Sequence, residues 1–184
     1  MAQLYDVIKN GYQQEKKHIG GFEKDESLSN HNNQLYVDHK NKKILYNTTG
    51  THNNKDWGVN FYLGLGKLKD TNRYKIAHKG IRDAKQKYVG YQSILTGDSL
   101  GGAITRSISS KGDKILTLNS ASTIGEKTKP REQNYRVGWD PVSMLQFGAK
   151  HMTTLKNKSK PTFLGGLYDA HIPSSIKDHD IKII

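Results

Sequence analysis

The sequence contains no cysteine among its 184 residues. Without thiols, the chain cannot form disulfide bonds, thiolate zinc sites, iron–sulfur clusters or a cysteine nucleophile. The absence of cysteine does not indicate a cellular compartment, because a chain without cysteine is compatible with any redox environment.

Long apolar runs are also missing. The longest candidate, residues 91–95, has the length of a strand, whereas a membrane-spanning helix needs about 20 apolar residues. These absences exclude a membrane-spanning protein. An amino-terminal secretion signal is not predicted either, because residues 1–18 hold no apolar segment and no small-residue cleavage site.

Acidic residues are scarce relative to basic ones. Aspartate and glutamate number 17 against 29 lysines and arginines, which gives a formal net charge of +12. Such an excess attracts polyanions, whether nucleic acid, an anionic membrane surface or an acidic protein partner. The lysines are scattered from Lys9 to Lys182, and no zinc-binding spacing, RNA-recognition aromatic motif or basic heptad accompanies them. Specific nucleic-acid binding is therefore not predicted, and a solvated lysine-rich surface is the plainer interpretation.

Two regions differ in their hydrophobic pattern. Residues 1–33 are predicted to be an arm that holds one helix, since Leu4, Ile8 and Tyr12 are spaced four apart, followed by a polar loop outside the main core. Residues 34–184 alternate strand and helix patterns. The predicted elements are a hairpin over 35–46, a helix over 78–88, a strand over 91–96, a helix over 103–109, and strands over 114–119 and 135–138. This order, with short loops, predicts an α/β sheet with crossover connections.

The pattern with the most chemical content is G-D-S-L-G at residues 97–101, between a predicted strand and a predicted helix. It fits G-x-S-x-G, in which the serine lies on a sharp strand-to-helix turn. The residues two before and two after the serine must be small, so that the strand and the helix can approach each other. The turn places the Ser99 hydroxyl beside the first N–H groups of the helix, which can bind a developing oxyanion. A glycine-rich turn without chemistry is the alternative interpretation.

A serine nucleophile needs a base and a carboxylate that orients the base. Among the acids after Ser99, Asp140 directly follows a predicted strand, whereas Asp113 precedes one and so lies at the wrong edge of the sheet. Among the downstream histidines, His171 lies in a loop near the end of the sequence, while His179 stands among charged residues. An ordinary surface histidine is the alternative for His171. The predicted triad is Ser99, Asp140 and His171.

Four motifs, in this order, resemble those of the class 3 lipases, the α/β-hydrolase family related to fungal triacylglycerol lipases. They are G-T followed by D-W within residues 50–57, I-A-H-K-G-I at 76–81, T-G-D-S-L-G-G-A at 96–103, and R-V followed by D-P-V within 136–142. The resemblance covers about residues 34–180. It implies that residues 34–184 form a compact α/β-hydrolase-like domain, with a mostly parallel sheet flanked by helices.

The resemblance also implies roles for five residues. Ser99 would be the nucleophile, Asp140 the acid that orients the base, and His171 the base. Thr51 and Leu100 would form the oxyanion hole through their backbone N–H groups, with the Thr51 hydroxyl as a further donor. The GDSL hydrolases share the same letters around the serine, but their motif lies near the amino terminus and their histidine follows an aspartate by three positions. The chain is therefore not assigned to them.

Two departures from the lipase pattern concern the surroundings of the serine. Asp98 replaces the histidine that usually precedes the nucleophile, and we expect the turn to direct its side chain away from the site. The stretch between Asp56 and His78 is short for a lid, since its candidate at residues 61–66 is brief and glycine-rich.

The leading hypothesis is a serine ester hydrolase, a lipase or esterase, which acts on a lipid or carboxylic ester through an acyl-enzyme and requires no metal or organic cofactor. Its lysine-rich surface would draw it to an anionic membrane surface or an acidic protein partner. The alternative is a catalytically weak or inactive lipase-like scaffold that serves as a basic structural protein in a larger assembly. Small lipase-like proteins of this composition resemble those encoded by large DNA viruses, so a virion component is one such role. Because neither a secretion signal nor a membrane-spanning segment is predicted, we expect a cytoplasmic or virion-associated location.

Overall fold

The computed structural model describes residues 1–51, 66–122, 128–138, 140, 151–156, 176–177 and 179–183. Over these residues the strands form one eight-stranded sheet, and each strand pairs with the next in chain order. The strands are β1 (His18–Ile19), β2 (Phe22–Lys24), β3 (Asn33–Asp38), β4 (Lys43–Thr48), β5 (Gln92–Asp98), β6 (Lys114–Leu118), β7 (Glu132–Val137) and β8 (Met152–Leu155). The pairs up to β3–β4 are antiparallel, and the pairs from β4–β5 onward are parallel.

Helices cover both faces of the sheet. Within the described residues they are α1 (Leu4–Gln13), α2 (Asn72–Lys87) and α3 (Ser99–Ile108). In the chain, α2 lies between β4 and β5 and α3 lies between β5 and β6, as the crossovers between parallel neighbours require. The Thr71 side chain caps α2 by accepting the N–H of Tyr74 at 3.2 Å. Both crossover helices begin earlier than predicted, because their first turns are polar or glycine-rich and show no apolar period.

Successive residues of the central strands point to opposite faces. Val37 of β3 packs with Ile81 of α2 and Ile104 of α3 on one face. On the other face, Tyr36 of β3 packs with Ile8 of α1. The sheet is therefore enclosed by α2 and α3 on one side and by α1 on the other.

The amino-terminal segment is part of this core. Leu4 and Ile8 of α1 are fully buried, and β2 pairs with β3 inside the sheet, with β1 at the edge. The side-chain amide of Asn10 donates to the hydroxyl of Tyr36 at 2.7 Å. The predicted helix is confirmed, but the prediction that residues 1–33 lie outside the main core is wrong. The apolar stripe of α1 covers the sheet face opposite α2 and α3. Each buried aliphatic side chain of this stripe contributes about 1.5–3 kcal/mol to stability.

The predicted fold class is confirmed, since the sheet is mostly parallel and flanked by helices. The β3–β4 hairpin and the strands β5, β6 and β7 lie at or near their predicted positions. The strands β1, β2 and β8 were not predicted, because two to four residues are too few to show an alternating pattern. In the described part of the chain, no helix has both the length and the apolarity needed to cross a membrane.

Candidate active site

Ser99 lies at the junction of β5 and α3. The strand ends at Asp98 and the helix begins with Ser99. Ser99 has a φ of 51°, in the left-handed region, which costs a residue other than glycine about 1–2 kcal/mol. Its carbonyl oxygen accepts the N–H of Ala121 at 3.0 Å, and only 3% of its surface is exposed. The sharp turn expected from the G-x-S-x-G pattern is present, and the neighbouring structure holds it in place.

This turn depends on a close approach between α3 and the strands. A Cβ atom on Gly101 would lie 2.1 Å from the carbonyl oxygen of Thr48, and one on Gly97 would lie 2.7 Å from the carbonyl group of Gly101. Both distances are shorter than real Cβ contacts, which stay beyond 3.0 Å. Glycine is therefore required two residues before and two residues after Ser99, as the spacing argument expects.

The segment after β4 runs directly beside the serine. A Cβ atom on Gly50 would lie 3.0 Å from the Cβ of Ser99. Leu100 is the second residue of α3, so its N–H belongs to the first turn, where N–H groups have no intrahelical acceptor. Because β4 and β5 are parallel neighbours, their carboxyl ends meet at one edge of the sheet. Thr51 and Leu100, the predicted oxyanion donors, therefore lie at the same edge as Ser99.

Asp140 lies just beyond β7, at this same carboxyl edge. Its N–H donates to the carbonyl oxygen of Val137 at 3.1 Å, and the residue is only 1% exposed. In the sheet, β7 is separated from β5 by β6 alone. His171 lies outside the described residues, so its role as the base stays a prediction, and so does the triad.

The carboxylate of Asp98 faces α1 and the segment after β4. One oxygen accepts the hydroxyl of Tyr12 at 2.5 Å, and the other accepts the N–H of Gly50 at 3.1 Å. Asp98 is only 2% exposed, so it needs such donors to offset the loss of water. The residue that replaces the usual histidine is thus tied to the residue before Thr51.

A second side chain holds the same segment from the other face of the sheet. Arg73 of α2 donates from Nη1 to the carbonyl oxygen of Gly50 at 3.0 Å and from Nη2 to that of Thr49 at 2.6 Å. Burial lowers the pKa of Arg73 while Tyr12 and Asp98 raise it, and an arginine keeps its charge in proteins. Burial, together with the charge of Asp98, raises the pKa of Tyr12 well above its ordinary value, so its hydroxyl remains a donor.

Tyr12, Asp98 and Arg73 are called here the loop clamp. Sequence reasoning did not predict Tyr12 or Arg73 as site residues. Tyr12 showed only as part of an apolar helix stripe, and no local spacing signals a contact between Arg73 and Gly50. Such contacts join segments that are far apart in the chain, so no sequence signal was present to find them.

The opposite edge of the sheet holds a cavity of about 640 Å³, lined by residues where β4 to β8 begin. Ile94 of β5 lines this cavity, and the part of the strand from Ile94 to Ser99 spans about 17 Å. Within the described residues, no three His, Asp or Glu side chains are arranged to hold a metal ion.

The chain has a lipase-like α/β-hydrolase fold. It superposes on Lip2 lipase from Yarrowia lipolytica with a TM-score of 0.52 and 14% identity, over 82% of this chain and 76% of that one. The triacylglycerol lipase from Penicillium expansum superposes with a TM-score of 0.52 and 13% identity, over 91% of this chain and 78% of that one. The Rhizomucor miehei lipase superposes with a TM-score of 0.48 and 14% identity, over 76% of this chain and only 60% of that one. No protein-family model matches the sequence, and no curated protein matches it. Identities this low show the fold alone, and the two fungal matches with TM-scores of 0.52 give no support to the predicted viral type.

Proposed function

We propose that this protein is a serine ester hydrolase of the lipase type, which acts on a lipid or another carboxylic ester. The observation that carries the proposal is the backbone of Ser99, held at a φ of 51° where β5 turns into α3. A strained serine at the carboxyl edge of a parallel sheet is typical of nucleophile elbows. The lipase-like fold supports the same conclusion. Because one matched enzyme is a triacylglycerol lipase, triacylglycerols are the first lipid class to test.

In this proposal the hydroxyl oxygen of Ser99 attacks the ester carbonyl while His171 takes its proton. His171 then protonates the leaving alcohol, and water hydrolyses the acyl-enzyme in a second cycle. Asp140 orients His171 and stabilises its protonated form. The backbone N–H groups of Thr51 and Leu100 bind the oxyanion that forms on the carbonyl oxygen.

The loop clamp orients the proposed oxyanion donor through the Gly50–Thr51 peptide. Arg73 holds the carbonyl oxygen of Gly50 at 3.0 Å, and in a trans peptide the following N–H points the opposite way. Asp98 accepts the N–H of Gly50 at 3.1 Å, so this N–H is not available to bind an oxyanion. The clamp thus leaves the N–H of Thr51 as the group that this segment offers to an oxyanion.

Labelling with a fluorophosphonate probe tests the proposal, because the probe reacts with activated serines. We expect the wild type to be labelled and Ser99→Ala and His171→Ala to lose the label. Ser107→Ala in α3 and His78→Ala in α2 are matched controls that should be labelled like the wild type. Hydrolysis of esters of increasing acyl length would then define the substrate. A folded wild type that takes no label would overturn the proposal.

The net charge of +12 favours a second candidate, a lipase-like scaffold that binds an acidic partner in a larger assembly. The same labelling experiment separates the two functions, because a scaffold has no need of an activated serine. If the folded wild type takes no label, the scaffold becomes the leading proposal. Capture of partners with and without 0.5 M salt would then test whether charge drives the association.

A further inference from the structure

The cavity at the amino edge of the sheet has the size of a small-ligand site. Its volume of about 640 Å³ lies within the roughly 300–1,000 Å³ of such pockets. Its lining includes the buried residues Ile94 and Ile183 and several basic residues. The basic lining residues are Lys43, Lys114, Arg131 and His151.

Strand register explains why cations from distant parts of the sequence meet there. Lys43 at the start of β4 pairs with Gln92, and Lys114 at the start of β6 pairs with Ile94 of the same strand, β5. Paired residues share a face of the sheet, and so do residues two apart on one strand. Lys43 and Lys114 therefore project from the same face on either side of β5. Arg131, directly before β7, lines the same cavity.

The one carboxylate among the described lining residues is already engaged. Glu132 accepts the Nε–H of Arg106 at 2.5 Å with one oxygen. Its other oxygen accepts the backbone N–H of Lys129 at 2.8 Å. The Arg106–Glu132 pair is almost fully buried, so the negative charge of Glu132 is compensated by Arg106 rather than by the cavity lysines.

The environment of Lys114 shows that the cavity cations act on one another. Its ammonium group donates to the carbonyl oxygen of Ile183 at 2.8 Å. Burial lowers the pKa of Lys114, and the charges of Lys43 and Arg131 lower it further. Lys43 and Lys114 are partly buried and Arg131 is exposed, and an anion bound among the three would relieve their mutual repulsion.

We propose that this cavity binds a phosphate ester through Lys43, Lys114 and Arg131. A phosphate group carries enough charge and acceptor oxygens for all three cations, and charge-assisted hydrogen bonds of this kind are strong. The apolar lining residues Ile94 and Ile183 suit the organic part of such an ester. The lining residue Ile94 is about 17 Å along β5 from Ser99, so the proposal stands independently of ester hydrolysis at the other edge.

Pyrophosphate is the soluble probe, and isothermal titration calorimetry is the measurement. We expect saturable binding to the wild type, with a Kd about ten-fold higher in Lys43→Gln and in Lys114→Gln. Lys75→Gln is the matched control, because Lys75 is exposed on α2, on the opposite face of the sheet, and its loss changes the net charge equally. Lys43→Gln keeps the test decisive if Lys114→Gln disturbs the packing of Ile183.

A second arm distinguishes a soluble ester from a phospholipid headgroup. It measures binding to phosphatidylcholine vesicles with and without phosphatidic acid. Binding that needs phosphatidic acid and is weakened by Lys43→Gln identifies a headgroup, whereas lysine-dependent binding of pyrophosphate alone identifies a soluble phosphate compound. The proposal is overturned if neither probe binds saturably, or if Lys75→Gln weakens binding as much as the cavity variants do.

Discussion

The hydroxyl of Tyr12 lies 2.5 Å from a carboxylate oxygen of Asp98 and so joins the amino-terminal helix to the residue before Ser99. The two residues are 86 positions apart, and they meet because α1 packs against the sheet face beneath β5. Through its other oxygen, Asp98 binds the N–H of Gly50. The position of α1 is therefore coupled to the segment that runs beside the serine.

Replacing Tyr12 by phenylalanine keeps the ring and removes the donor. Because Asp98 is buried, we expect Tyr12→Phe to lower the free energy of unfolding by about 1–3 kcal/mol. We also expect kcat for ester hydrolysis to fall about ten-fold with little change in KM, because the segment at Gly50 and Thr51 would lose its fixed orientation beside Ser99. Urea unfolding and steady-state kinetics measure these effects. Tyr5→Phe, on the same helix, is the control, and equal effects of the two substitutions would argue against the coupling.

Arg73→Lys tests whether the guanidinium fork orients the Gly50–Thr51 peptide. A lysine cannot donate to the Gly50 and Thr49 carbonyls in the same fixed geometry. Loss of an oxyanion donor lowers kcat by roughly 10²–10³-fold in other enzymes, and a misoriented donor should cost about ten-fold or more. Arg82→Lys on the exposed side of α2 should leave kcat unchanged. An Arg73→Lys enzyme with wild-type kcat would remove Arg73 from the mechanism.

Ser99 stores backbone strain that its side chain causes. Glycine adopts a φ of 51° without a Cβ penalty, so Ser99→Gly should be more stable than Ser99→Ala by about 1 kcal/mol. Both variants should lose the fluorophosphonate label. Chemical unfolding of the two proteins under the same conditions gives the comparison. If the alanine variant is at least as stable, residue 99 is not strained.

The packing of α1 predicts that the amino-terminal segment supports the whole domain. Ile8 is fully buried in the core, and Ile8→Ala should destabilise the protein by about 2–5 kcal/mol. Lys9→Ala, at the next, exposed position, should change stability by no more than about 0.5 kcal/mol. The measurement is the urea concentration at the midpoint of unfolding, compared between proteins whose unfolding free energy depends on urea concentration with the same slope. A small effect of Ile8→Ala would mean that the helix is dispensable for the core.

Asp25 joins the turn before β3 to the end of α2. Its carboxylate accepts the Lys87 ammonium at 2.7 Å and the Tyr88 hydroxyl at 2.8 Å. Burial raises the pKa of Asp25, but these hydrogen bonds, together with that from Ser27, outweigh burial and bring it to about 2, below the ordinary 3.8.

A carboxyl group whose pKa is lower in the folded chain stabilises the protein above its unfolded-state pKa and loses this effect as the pH falls through its folded-state pKa. The contribution of Asp25 should therefore be complete above about pH 4 and disappear towards pH 2. Asp25→Asn should flatten the fall of the unfolding free energy in this interval. Urea unfolding at several acidic pH values is the measurement, and parallel curves for the two proteins would contradict the assignment.

Much of the fold and part of the candidate site were predictable because they depend on short stretches of chain. The turn at Ser99 was predictable from the small residues at fixed distances on either side of the serine, although the contact that requires glycine at position 101 is with Thr48, far away in the chain. The β3–β4 hairpin and the central strands followed from alternation, since each is long enough to show a period. The short strands at both ends of the sheet lacked that length.

Contacts between distant segments were not predictable. Asp98 and Arg73 hold the same peptide group, yet they belong to different elements, and no local pattern says which side chains a helix will present to a strand end. Lys43 and Lys114 look like scattered surface lysines in the sequence. Strand register alone brings them to one cavity.

The sequence by itself determined where the strand-to-helix turn at Ser99 lies, because Gly97 and Gly101 stand two residues on either side of the serine. The tertiary structure decided its surroundings: that α1 belongs to the core, that Tyr12 reaches Asp98, and that the basic residues gather at the opposite edge. The physical reason is that local backbone conformation depends on neighbouring residues. The pairing of distant segments depends instead on how the whole chain buries its apolar surface.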